Sequence, residues 1–286
     1  MKKLLALAVA AAITVPMVAM ADTTVYGKGH MSIGKTKDVS GMFVESHSSR
    51  IGLKGSNALD NGLTATHQFE IGYNFTDEEG SLTPRNSWIG LKGGFGEFRI
   101  GRQTTPYSIV DDAAAFTTRE DHGLHTFQRV PNALAYINKF GSVGVALAYV
   151  AAGEAETGLP ASGSDSITNL LVNYSAGPIY AGVAMQDMPK GKTGSKIALA
   201  YKGANYGVGV NFEKLPGSGE KVTTVAGKYS FGKAYLAAQY GKNKDTDDKQ
   251  KTIELGYGLG KGTKVYYEWE DLKTVKSNRI GLVHKF

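Results

Sequence analysis

From Asp22 onward the chain keeps one grammar, runs of about ten residues in which apolar side chains alternate with small or polar ones. Val25, Gly27, Gly29, Met31 and Ile33 share one parity, while Tyr26, Lys28, His30 and Ser32 share the other. The same alternation recurs from Leu63 to Phe75, Thr168 to Tyr174, Ile197 to Tyr201, Tyr206 to Phe212, Ile253 to Leu259 and Val265 to Trp269, and again at Ile280 and Leu282. A period of two is that of a β-strand with one face apolar, and no stretch after the leader sustains helical spacing.

The connections alternate in length. Seven short turn signals, among them Asp60-Asn61-Gly62, Phe140-Gly141-Ser142 and Phe231-Gly232-Lys233, lie between eight longer polar segments at 35–46, 76–84, 104–128, 151–165, 187–195, 214–221, 241–249 and 271–276. Fifteen connections join sixteen strands, with both chain ends on the short-turn side. An even strand number with short turns at one end and long loops at the other predicts an all-β, 16-stranded antiparallel transmembrane β-barrel. Aromatic residues crowd both strand ends: Tyr174, Tyr206, Tyr229, Phe231 and Tyr235 near the short turns, and Tyr149, Phe212, Tyr240, Tyr267 and Trp269 near the long loops. Two such belts fit two membrane interfaces.

The stretch 85–103 holds two alternating runs joined by Gly93-Gly94-Phe95-Gly96, the signature of a tight hairpin. It opens into the segment 104–128, which carries Asp111, Asp112, Glu120 and Asp121. That segment is too long for a simple connector, and an acidic loop beside an arginine-rimmed hairpin reads as a pore wall with its constriction.

Lys2 and Lys3, the apolar run from Leu4 to Val18 and the small-residue site Ala19-Met20-Ala21 read as a cleaved signal peptide over 1–21, leaving 22–286 as the barrel. Removing two lysines leaves thirty basic against twenty-six acidic residues, a net charge of +4. That charge is too dilute and scattered to indicate a nucleic-acid partner. The chain has no cysteine, so backbone pairing and burial alone must hold the fold. A mean hydropathy of −0.21 would ordinarily mean a soluble protein. A barrel is the exception, because only every second residue meets lipid.

The motifs Ser49-Arg50-Ile51-Gly52-Leu53-Lys54-Gly55, Ser87-Trp88-Ile89-Gly90-Leu91-Lys92-Gly93, Phe98-Arg99-Ile100-Gly101-Arg102-Gln103 and the terminal Gly281-Leu282-Val283-His284-Lys285-Phe286 occur in that order. Together they resemble the general diffusion porins of Gram-negative bacteria, nearest the neisserial and β-proteobacterial branch. The resemblance covers the whole mature chain. It implies a homotrimer in the cell outer membrane, among lipid and lipopolysaccharide. It also implies a third long loop, about 104–128, folded inward to narrow a water-filled channel for passive diffusion of small hydrophilic solutes and ions. Phe286 resembles the C-terminal signal read by the outer-membrane assembly machinery, and no cofactor or metal is expected.

By the same resemblance the basic side of the constriction is Arg50, Arg102 and Arg129, with Lys54 and Arg99 behind them, and the acidic side is Asp111, Asp112, Glu120 and Asp121. Parity puts Arg50, Lys54 and Arg99 on the lumen face but Arg102 on the lipid face, so Arg102 needs a bulge to turn inward. The family pattern after the third loop carries a second arginine where this chain has Ala135, which thins the basic wall.

Other motifs carry less. Gly191-Lys192-Thr193 lacks the first glycine of a phosphate-binding loop, and Asp245-Thr246-Asp247-Asp248 lacks the glycine of a calcium loop. His122 and His125 have no further metal ligands at useful spacing. The alternatives to a channel are a barrel lipase or deacylase, with His47 and Ser48 at the rim, or an adhesin. No G-x-S-x-G elbow supports the former.

Overall fold

The computed structural model describes residues 23–76, 80–113, 115–119, 124, 129–151 and 166–286, leaving aside the side chains of Asp112 and Ala113. The leader at 1–21, Glu120, Asp121, His122 and His125 lie outside the described residues. The strands are β1 (Thr24–Thr36), β2 (Phe43–Ser46), β3 (Arg50–Ala58), β4 (Thr64–Tyr73), β5 (Leu82–Gly93), β6 (Gly96–Thr104), β7 (Arg129–Phe140), β8 (Val143–Val150) and β9 (Ile167–Ala176). They continue as β10 (Ile179–Asp187), β11 (Gly194–Lys202), β12 (Tyr206–Lys214), β13 (Lys221–Phe231), β14 (Ala234–Asn243), β15 (Lys249–Gly260), β16 (Thr263–Leu272) and β17 (Val275–Lys285). After β6 come one short helix, α1 (Pro106–Ile109), and a 3₁₀ turn (Val110–Ala113).

Every neighbouring pair is antiparallel, and β1 closes the ring by pairing with β17 on one side and with β2 and β3 on the other. β2 lies opposite residues 31–34 of β1, and β3 opposite residues 24–28. The two are therefore one stave, interrupted at 47–49 where Ser48 adopts φ 49°. Sixteen staves result. The segment 35–46, expected as loop, thus contributes six residues of strand, Lys35 and Thr36 at the end of β1 and the four of β2. The last connection, expected over 271–276, shrinks to the two residues between Leu272 and Val275 because β16 and β17 pair to their ends. Loop lengths on that side consequently vary more than the turn signals indicated.

The alternation decides which face meets which solvent. On β15, Ile253 and Leu255 are half exposed at 50% and 51%, while Thr252 and Glu254 between them are buried at 1% and 0%. Outward positions around the ring are similarly apolar, as at Ile100, Val183, Leu199 and Ile280. Inward positions are polar, charged or small, as at His30, Asn169, Gln186, Asn211 and Glu268. The belt residues Tyr149, Tyr174, Tyr206, Phe212, Tyr229 and Tyr240 lie on the outer face, exposed. Tyr235 does not belong with them: it is 5% exposed and its hydroxyl donates to Glu254 inside.

The seam is held at the short-turn end by Phe286. Its main chain exchanges hydrogen bonds with Gly27, and its ring covers that glycine so closely that a Cβ there would come within 2.2 Å of it.

Arginine in place of outward-facing Ile253 should destabilise the barrel by about 2–4 kcal/mol if the site lies near the bilayer midplane. Urea unfolding in phospholipid vesicles measures this. A loss under about 1 kcal/mol would place Ile253 at an interface instead.

Candidate functional site

The inner wall from β8 to β11 presents small side chains: Ala146, Ala184, Ala198 and Ala200. Into that shallow depression pack Tyr107 and Val110 from the segment after β6, both fully buried. Thr105 caps α1, its hydroxyl accepting from the Ser108 amide, and Pro106 supplies a first-turn residue whose missing N–H costs nothing.

Polar contacts fix the same segment. Asp111 accepts from Lys196 Nζ at 2.6 Å and from Asn211 Nδ2 at 2.7 Å, and Lys196 also lies 3.4 Å from Glu213. The Tyr107 hydroxyl donates to Glu213 Oε1 at 3.1 Å. Burial, and then the charge of Glu213, push that hydroxyl's pKa well up, so it remains a donor across the working pH range.

Further along, Phe116 lies against β12, where a Cβ on Gly207 would meet its ring at 2.4 Å. Thr118 donates its amide to Glu254 Oε2 at 2.7 Å and its hydroxyl to Glu254 Oε1 at 2.5 Å. Arg119 reaches Glu268 at 3.0 Å and Glu270 at 2.8 Å. Starting from the end of β6, the described part of this segment therefore touches β8 to β12 and then β15 and β16, in each case on the inner face.

On the other side stand the basic residues. Arg50 opens β3 with Nε 3.4 Å from Glu70, and Glu70 is also paired with Arg85 Nε and accepts from the Tyr26 hydroxyl at 2.9 Å. Arg99 pairs with Glu97 at 2.8 Å and stacks over Trp88, its guanidinium carbon 4.1 Å from the ring. Lys54 is exposed, its ammonium 5.2 Å from the Tyr26 ring centre. Arg129 opens β7 opposite Thr104, with its Nε buried.

Arg102 requires a correction. A register slip does occur between Gly101 and Gln103, but the extra residue is on β7, where Asn132 takes φ 53°. Across β5 the register runs unbroken from Gly93 to Ser87, which keeps Arg102 on the face of Ile89 and Ile100. Its Nε donates to the Pro84 carbonyl at 3.2 Å, near the outer rim. The parity of the sequence is kept, and Arg102 is not part of the inner wall.

Asp111 meets Lys196 and Asn211 on the inner face rather than an arginine. Its charge is matched by Lys196 in the wall beside it, so its effect there is to anchor the segment. Sequence reasoning missed Arg85, Lys196, Glu254, Glu268, Glu270, Arg119 and Arg279. For all but Arg119, which lies in the segment itself, the signal was available as inward parity on strands that otherwise read as wall. Arg279 links Glu268 and Glu270 to Glu45 on β2, extending the network across the seam.

A Gram-negative porin family model matches residues 6–277 of the chain. The major outer membrane protein P.IB of Neisseria meningitidis serogroup A is 33% identical over 132 residues, covering 42% of this chain and 39% of that protein. The P.IB of Neisseria gonorrhoeae is 37% identical over 116 residues, covering 37% and 32%. The matched stretch thus spans less than half the length of these curated relatives. Among solved structures, the anion-selective porin from Comamonas acidovorans superposes with a TM-score of 0.71 at 20% identity, covering 92% of this chain and 99% of that one. A mutant of the Rh. blastica porin gives 0.74 at 15% identity, covering 92% and 100%. These structures share the fold.

Two outcomes follow from the anchoring contacts. Replacing Lys196 with methionine leaves Asp111 and Glu213 buried without their cation and should cost about 3–5 kcal/mol in urea unfolding. Replacing Arg119 with alanine should leave the barrel intact but speed hydrogen exchange at the Thr118 amide, by about tenfold or more. An unchanged exchange rate would mean that Thr118 and Glu254 hold the segment without Arg119.

Proposed function

The chain belongs to the Gram-negative porin family, and from that premise we propose that it forms a water-filled channel for passive diffusion of small hydrophilic solutes and ions across the outer membrane. The observation that carries this reading is the charged segment after β6, bound along the inner face of a closed ring whose outer face is apolar. A segment so placed narrows the lumen, and the side chains left facing water at that level sort solutes by size and charge. Family and fold point to a channel rather than an enzyme.

The basic side of the constriction is Arg50, Lys54, Arg99 and Arg129. Its charge is partly cancelled: Glu97 offsets Arg99, and Glu70 is shared by Arg50 and Arg85. Exposed Lys54 therefore dominates the field felt by a passing ion. The acidic side is Asp112, Glu120 and Asp121, with Asp111 as the anchor. Three such barrels assemble into a homotrimer amid lipid and lipopolysaccharide. Phe286, 63% exposed beside the seam, is offered to the outer-membrane assembly machinery.

Planar-bilayer recordings of the mature protein under a salt gradient test this. Steady ohmic steps are expected, and a folded barrel that conducts nothing would overturn the reading. A unit charge about 8 Å from an ion in water is worth about 0.5 kcal/mol, so Lys54→Glu should lower chloride permeation roughly fivefold at low salt. Asp111→Asn should move the reversal potential little.

A further inference from the structure

The outer face changes character at the long-loop end of four consecutive staves. β12 ends on Lys214, β13 begins at Lys221, β14 carries Lys242 near its end, and β15 opens with Lys249 and Lys251. All five share the parity of the exposed outward residues on their own strands, Phe212, Val225, Tyr240 and Ile253. On β4, β6 and β8 to β11 the corresponding positions are Tyr73, Arg102, Tyr149, Thr168, Asp187 and Ser195, one cation among six. The lysines are thus gathered on one arc of the rim.

Register sets them against each other. Lys214 lies directly opposite Lys221, and Lys242 directly opposite Lys249. Like charges so placed repel across the sheet. Asp247 answers one pair, lying 3.0 Å from Lys242 and 3.7 Å from Lys249. Asp271, opposite Lys251, is engaged by Lys276 at 3.3 Å. Asp245 accepts from the Lys221 amide at 2.6 Å. Among the described residues no carboxylate lies within ion-pair distance of the ammonium groups of Lys214, Lys221 or Lys251. Over 214–221, 242–251 and 271–276 eight lysines stand against five acids, a surplus of three.

The height of the arc follows from its neighbours. Phe212 and Tyr240, belt aromatics on the same face, each sit two residues further into the wall than Lys214 and Lys242. Two strand residues span about 7 Å. The ammonium groups therefore stand at headgroup level, their carbon stems laid along the apolar wall. Long loops of such barrels face the outside, so the headgroups are those of the outer leaflet.

We propose that Lys214, Lys221, Lys242, Lys249 and Lys251 form a docking surface for a phosphate-bearing glycolipid of the outer leaflet. These side chains point away from the lumen, so their occupant arrives from the bilayer side as an anchored lipid and not as a free anion. Each ammonium brings three donors to phosphate oxygens, and the two lysine pairs lie about 10 Å apart across the strands, which suits a headgroup with more than one phosphate. The inference deepens the reading of a barrel amid lipid and lipopolysaccharide. It rests on that outer-membrane placement, not on conduction.

Native mass spectrometry of the detergent-folded mature protein, titrated with lipid A bearing two phosphates, tests the surface. Saturable retention is expected, weakened about tenfold or more in K214Q/K221Q/K242Q/K249Q and kept when the same four positions carry arginine. K233Q/K261Q, altered in the short turns, should bind as the parent does. Equal retention by the glutamine variant and the parent overturns the proposal, as does equal retention of dephosphorylated lipid A. Displacement of the lipid by an equal concentration of inorganic phosphate overturns the choice of an anchored lipid. Bilayer recordings of the same preparation keep the readings apart. Conducting barrels whose lipid retention ignores these lysines overturn the surface alone, whereas lysine-dependent retention by barrels that do not conduct upholds it and overturns the channel.

Discussion

Closure of the backbone hydrogen-bond ladder between β1 and β17 is the constraint on which the rest of this structure depends. In hydrocarbon no water can satisfy an unpaired N–H or C=O, so an open sheet edge costs several kcal/mol for each exposed group. Nine residue pairs from Lys28↔Lys285 to Thr36↔Ser277 remove that edge. Closure also fixes everything inside, because once the ring is sealed each residue's parity assigns it either to lipid or to the lumen. The bulge at 47–49 shows how this is managed. β2 and β3 both pair with β1, and the slip between them is absorbed at a point where Ser49, His30 and His47 exchange hydrogen bonds on the inner face.

The segment after β6 follows the same rule of paired groups at a smaller scale. A loop laid inside a barrel must bury backbone and charge, and an unpartnered buried charge is costly. Each anchoring point answers that cost with a partner on the wall: Glu254 takes the Thr118 amide and hydroxyl, Glu268 and Glu270 take Arg119, and Lys196 with Asn211 takes Asp111. The alanines of β8, β10 and β11 do the apolar part, leaving room for Tyr107 and Val110. Substituting a bulkier residue for Ala198 would therefore act on the loop before it acted on the barrel.

Much of this is legible in the amino-acid sequence. The period of two predicts which side chains meet lipid, and Ile253, Glu254 and Leu255 obey it residue by residue. The turn signals predict sixteen staves because short turns leave little freedom in how a hairpin closes. Long-range pairing was not legible. Nothing adjacent in sequence says that Asp111 meets Lys196, or that Tyr235, with the spacing of a belt aromatic, faces inward to Glu254. Arg102 shows a different limit. Family pattern called it inward and parity called it outward, and the slip that could have reconciled them falls on the partner strand. Where a motif and a steric period disagree, the period describes what the backbone permits.

The inner charges also show why a count of arginines does not give a selectivity. Arg99 with Glu97, and Arg119 and Arg279 with Glu268 and Glu270, are closed pairs whose fields fall off within a few ångströms. A permeating ion a Debye length away, about 8 Å at physiological salt, responds to what remains unmatched. Of the described residues on the basic side, Lys54 is the exposed one, its ammonium 5.2 Å from the Tyr26 ring centre. Two barrels with the same arginine motifs can then differ in ion preference through the carboxylates that close those pairs.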